Sequence, residues 1–98
     1  MVKHIVMWKL LDFAEGRSKS ENIRYIKERL EALKQSIPEI KFLEVGESIT
    51  PGGYDAVLYT EFATPEDLAI YQNHPQHLEV SAYVAKVRVD RVVGDYIV

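Results

Sequence analysis

Three histidines and a tyrosine carry most of the chemistry this sequence could perform. Tyr71, His74 and His77 fall in one run, Tyr71-Gln72-Asn73-His74-Pro75-Gln76-His77. If Pro75 opens a helix, His77 lies in its first turn. The positive partial charge of a helix N-terminus disfavours imidazolium and holds such a histidine neutral near pH 7. A neutral imidazole is what a general base requires. The alternative is that His77 caps the turn through a side-chain hydrogen bond. The Tyr71 hydroxyl could donate to a carbonyl oxygen and stabilise a developing enolate. Otherwise Tyr71 is a half-buried core tyrosine with its hydroxyl at the rim. The two residues would not share a face on one continuous helix, so the break at Pro75 is what allows them to converge.

His4 shares a strand face with Val6 and Trp8. A histidine on an apolar face needs a partner, and a pocket carboxylate, Tyr71 or His77 are the candidates. A satisfied core histidine is the other reading. His74 precedes proline and is expected to hold the turn rather than a ligand. The spacing of His74 and His77 could suit two metal ligands. The intervening proline and the lack of a nearby acidic ligand argue against a metal site. Asp12, Asp90 and Asp95 lie near strand ends and are expected to be solvated or paired with Arg91. No phosphate-cradling glycine loop is present, because Gly52-Gly53 follows Pro51 in a hairpin turn.

The elements that must position these groups follow from periodicity. Residues 2–11 alternate His4/Val6/Trp8/Leu10 against Lys3/Ile5/Met7/Lys9, with apolar groups on both faces, as in a central strand. Residues 12–19 are polar and read as a loop. Ser18 or Ser20 can cap the next helix, with Glu21 near its positive end. Ile23, Ile26, Leu30, Leu33 and Ile37 then trace an amphipathic helix that Pro38 ends. Residues 40–49 form a strand weakened by Gly46, and Tyr54–Phe62 a second, clearer one. Thr64-Pro65 starts a short helix through Tyr71. A further helix, capped by Asn73 or His74, runs from Pro75 to about Val87 and is expected to bury Leu78, Ala82 and Ala85. A valine-rich strand over 88–98 closes the chain.

The order strand–helix–strand–strand–helix–strand is the ferredoxin-like split βαβ arrangement, an α+β fold with an antiparallel sheet. Right-handed crossovers place the first and third of its long strands centrally. The helices cover one sheet face. The other still carries Ile5, Met7, Val57 and Tyr59, and an apolar face of that size marks an association surface. Two such sheets packed face to face would make a homodimeric α+β barrel.

Bulk properties narrow the function. The 98 residues suit one domain, 1–98, and a partner subunit would help so small a core. Net charge is −3 with no basic cluster, which argues against nucleic acid as a partner. With no cysteine, disulfides, thiolate nucleophiles and Cys-ligated zinc are excluded. The N-terminus lacks a secretory pattern, and no window approaches the ~20 apolar residues that span a bilayer. The expected setting is cytoplasmic, with no membrane partner.

Four stretches resemble the stress-responsive dimeric α/β-barrel (Dabb) family. They are Val2–Leu10 with its His4, Tyr54–Phe62, the Tyr71-x-x-His74-Pro75-x-His77 segment, and Asp90–Tyr96. Most members have no settled activity, and some plant members are stress-induced. One branch comprises polyketide cyclases, which close a poly-β-keto chain by aldol condensation without a cofactor. The resemblance implies Tyr71 and His77 as a catalytic pair and His4 in the pocket. A further pocket histidine of that branch falls at Ala56, which sets this chain apart from it. The expected pocket lies between sheet and helices. His4, Val6, Trp8, Ala56 and Leu58 line it from the sheet, Ile26 and Leu30 from the first helix, and Tyr71 and His77 from the break. It would take a small hydrophobic or aromatic carbonyl compound, with no cofactor and no metal. The alternative is a non-catalytic, stress-protective dimer.

Overall fold

The computed structural model describes residues 1–98. Strand β1 spans Val2–Leu10, and a two-residue pair follows, β2 (Phe13–Ala14) and β3 (Arg17–Ser18). Helix α1 covers Lys19–Ala32 and tightens into a 3-10 turn over Leu33–Gln35. Then come β4 (Ile40–Glu47), β5 (Ala56–Phe62), α2 (Pro65–Asn73), α3 (Pro75–Val87) and β6 (Arg88–Ile97). The four long strands form one antiparallel sheet in the order β4-β5-β1-β6. The two strands expected at the centre are there.

Alternation along β1 decides what packs where. Val2, His4, Val6, Trp8 and Leu10 are all buried under the helices. Their neighbours across β5, Ala56, Leu58, Thr60 and Phe62, are buried too. From α1 come Ile23, Ile26 and Leu30, spaced as a helical stripe, followed by Leu33 and Ile37. The opposite sheet face has no helix over it. Ile5, Met7, Val57 and Tyr59 remain partly exposed there, and Phe42, Val92 and Tyr96 are more open.

Two stretches depart from the sequence reading. The expected loop at 12–19 contains the β2–β3 hairpin, which turns through Glu15 and Gly16, both at positive φ. Ser18 then caps α1: its hydroxyl accepts the Glu21 N–H while the Glu21 carboxylate accepts the Ser18 N–H. The second departure is the phase of α3. Leu78 is 51% exposed and Ala82 and Ala85 are exposed too, whereas Val80, Val84 and Val87 are buried. Spacings of four and three make these valines one stripe, and His77 lies on it three residues before Val80.

The hairpin is tied to the helices by a polar knot. The Asn22 side chain, fully buried in α1, donates to the Ala14 and Arg17 carbonyls and accepts from the Tyr83 hydroxyl of α3. Arg17 donates to that hydroxyl, 2.9 Å away, and lies 4.0 Å over the Tyr25 ring. Removing the amide leaves two carbonyls and a hydroxyl without this partner. Asn22→Leu should therefore lower the free energy of unfolding by about 1–3 kcal/mol in urea titrations, with the slope of the transition unchanged.

Candidate active site

The helical region is interrupted between α2 and α3, and the interruption builds one wall of a cavity. Pro75 has no N–H for the helix to continue through. The Tyr71 carbonyl accepts the His74 N–H instead, at 3.2 Å. In an unbroken helix the Gln76 N–H would bond to the Gln72 carbonyl. Here His74 caps α3, and its Nδ1 accepts the Gln76 N–H at 3.1 Å. That leaves the Gln72 carbonyl free, and His77 Nδ1 lies 3.1 Å from it. A carbonyl can only accept, so Nδ1 carries the proton and Nε2 of His77 is left as a lone-pair acceptor.

Tyr71 is fully buried among aromatic rings. Its centroid lies 4.3 Å from that of His77, 5.1 Å from Phe62 and 6.3 Å from His4. Its hydroxyl has no hydrogen-bond partner. Burial pushes the phenol well above its ordinary range, against the opposing pull of the Arg91 charge. Tyr71 is thus a neutral, unengaged donor. The expected rim position of its hydroxyl is corrected: the oxygen is buried along with the ring.

His4 has found a carboxylate. Its Nδ1 lies 2.5 Å from Asp95 Oδ1, and the His4 ring is buried. Register explains the meeting, since His4 and Asp95 are direct partners across β1 and β6. Asp95 is partly solvated, as expected, but its partner is His4 and not Arg91. With Nδ1 donating to the carboxylate, Nε2 of His4 is the nitrogen open to a ligand. The backbone carbonyl of His4 is held by the Thr60 hydroxyl at 2.8 Å.

A cavity of about 360 Å³ lies beside these groups. His4, Val6, Trp8, Leu58 and His77 line it, with Leu30 from α1. Ala56 does not: it is fully buried beneath neighbouring side chains, and Ile26 and Tyr71 also stand back from the lining. The remaining wall is one that periodicity alone did not assign. It comprises Gln72, the stripe Val80, Ser81, Val84 and Ala85, and two arginines, Arg88 and Arg91. The inward position of His77 was the available signal, because it fixes the phase of α3.

The model of the stress-responsive A/B barrel domain, Dabb, matches residues 2–98. This chain belongs to the Dabb family. None of the curated proteins matches it. Among solved structures, a dimeric protein of unknown function from Bacteroides fragilis, with a ferredoxin-like fold, is 35% identical with a TM-score of 0.88. The match covers 99% of this Dabb chain and 95% of that one. A dimeric ferredoxin-like protein of unknown function from Thermobifida fusca is 23% identical, with a TM-score of 0.84 over 99% and 90% of the two chains. A hydroxynitrile lyase from Passiflora edulis is 21% identical, with a TM-score of 0.79 over 99% and 92%. The Dabb fold is thus ferredoxin-like, and relatives that share it are described as dimers. No helix of this Dabb chain is long and apolar enough to cross a membrane.

His77 makes this site sensitive to pH. Burial holds its pKa below the ordinary 6.5, and the charges of His4, Arg91 and His74 push the same way, while the Gln72 carbonyl opposes them. The unfolded chain takes up this proton near 6.5, and the folded chain only at lower pH. Between those values the unfolded state binds more protons, so stability falls as pH drops through 6.5. His77→Gln removes this contribution. The decline in Tm from about pH 7 to about pH 5 should be shallower in the variant than in the wild type.

Proposed function

We propose that this Dabb protein binds a small carbonyl compound in the cavity and moves a proton at the carbon next to its carbonyl, without a cofactor. One observation carries this reading: a buried, unpartnered hydroxyl on Tyr71, whose ring packs against a histidine with a fixed Nδ1–H and a free Nε2. A buried hydroxyl without a partner costs about 1–3 kcal/mol, which a ligand oxygen would recover. His4 and His77 line the cavity and flank the phenol, so a ligand that parts their rings reaches the hydroxyl.

In the proposed step, Nε2 of His77 takes the C–H proton. The electron pair becomes an enolate, and the Tyr71 hydroxyl donates to its oxygen. His4, oriented by Asp95, holds the ligand from the sheet side. The proton then returns to carbon. Alternatively the enolate carbon attacks a second carbonyl of the same molecule, forming a C–C bond, and the new alkoxide takes the proton. That second course is an aldol cyclisation. The occurrence of a hydroxynitrile lyase on this fold supports the view that the scaffold can house an enzyme.

Phenylpyruvate methyl ester in D2O tests the proton transfer, with exchange at its CH2 followed by proton NMR. The wild type should accelerate exchange, and His77→Ala and Tyr71→Phe should each slow it by roughly 100-fold or more without loss of fold. A variant that keeps the full rate would overturn the assigned role. Binding without exchange in the wild type would favour a non-catalytic, stress-protective dimer.

We infer further that a second copy covers the helix-free sheet face, where Ile5, Met7, Val57, Tyr59 and Val92 gather. The dimeric relatives support this reading. Sedimentation should show a dimer at micromolar protein, and Val57→Glu with Val92→Glu should shift it to monomer. A wild type that sediments only as monomer would sink the idea.

A further inference from the structure

We propose that Arg88 and Arg91 select an anionic ligand, so that the compound entering the cavity carries a carboxylate beside its reactive carbonyl. The inference rests on the cavity being the ligand site, as proposed above.

Arg88 is brought there by a specific irregularity. Residues three apart on a strand point to opposite faces. Arg91 pairs with Trp8 on the helix-covered side, so Arg88 would ordinarily face away. The register between β1 and β6 shifts at Lys9/Leu10: Lys9 pairs with Asp90, but Leu10 pairs with Arg88, and Val89 is skipped. A bulge re-aims the side chains on either side of it. Arg88 consequently joins Arg91 in the cavity lining.

The lining is otherwise one-signed. It contains these two guanidinium groups and no aspartate or glutamate. Neither arginine takes part in an ion pair. The two carboxylates of the same strand are already engaged. Asp95 is bound to His4, and Asp90, which feels the Arg88 charge, accepts from the Tyr54 hydroxyl at 2.9 Å and from the Arg91 N–H. In a chain of net charge −3, two arginines outside any ion pair in one small cavity are not the result of general basicity. The Arg91 charge also acts on both Tyr71 and His77, which places it within electrostatic reach of the groups assigned to the chemistry. An anion held by the arginines would lie beside that pair. A guanidinium fork suits a planar carboxylate, and the cavity volume is at the small end of the roughly 300–1,000 Å³ that ligand sites occupy.

Calorimetric titration with phenylpyruvate and with its methyl ester separates this inference from the catalytic one, because binding needs no turnover. Phenylpyruvate should bind at least ~10-fold more tightly than the ester. Arg91→Gln should bring the ratio close to one, Arg88→Gln should reduce it, and Arg91→Lys should restore part of it. Raising the salt concentration should weaken the acid and leave the ester unchanged. Equal affinities in the wild type, an undiminished preference in both glutamine variants, or no binding of either compound at millimolar concentration would overturn the proposal. Failure of the deuterium exchange alone would leave the anion preference standing and remove only the catalytic reading.

Discussion

A helix that reaches Pro75 must find another use for the carbonyls that the missing N–H cannot serve. The consequences spread over five residues. His74 turns back to bond the Tyr71 carbonyl and lends its ring to the Gln76 N–H. The Gln72 carbonyl, released from helical bonding, fixes the tautomer of His77. On one unbroken helix Tyr71 and His77 would project about 120° apart. With the break, their rings lie 4.3 Å apart at centroid. The cavity wall, the free Nε2 and the seclusion of the phenol all derive from that one absent donor.

The strands were legible because each had to satisfy two environments. In β1 both alternating sets are apolar enough to need cover, which pointed to a central strand and to a second layer on each side. The helix termini were legible through capping chemistry, as at Ser18 with Glu21 and at Thr64 with Pro65. The phase of α3 was not, because the helix offers two apolar stripes, one through Leu78, Ala82 and Ala85 and one through Val80, Val84 and Val87. With His77 turned inward, Leu78 lies one residue and about 100° further round the helix, and it is half exposed. Taking the histidine as the anchor yields Val80, Val84 and Val87.

The partner of His4 lay beyond local reading for another reason. Asp95 is 91 residues away, and only strand register brings the two together. Periodicity assigns a residue to a face but gives no alignment between strands. The bulge beside Val89 was hidden likewise, since an irregularity in pairing has no signature in a valine-rich segment. Thus the residues around Pro75 were read from the sequence, whereas Asp95, Arg88 and Arg91 needed the sheet.

β6 carries a further consequence. Beyond the bulge its odd-numbered residues, Arg91, Val93 and Asp95, face the helix side, and its even-numbered residues, Val92, Gly94 and Tyr96, face the uncovered side. The lining of the cavity and the surface of the uncovered face are thus written on one segment in alternate letters. Substitutions can revise either text without editing the other. A deletion of one residue within β6 has no such freedom, because it exchanges the two messages at every position that follows.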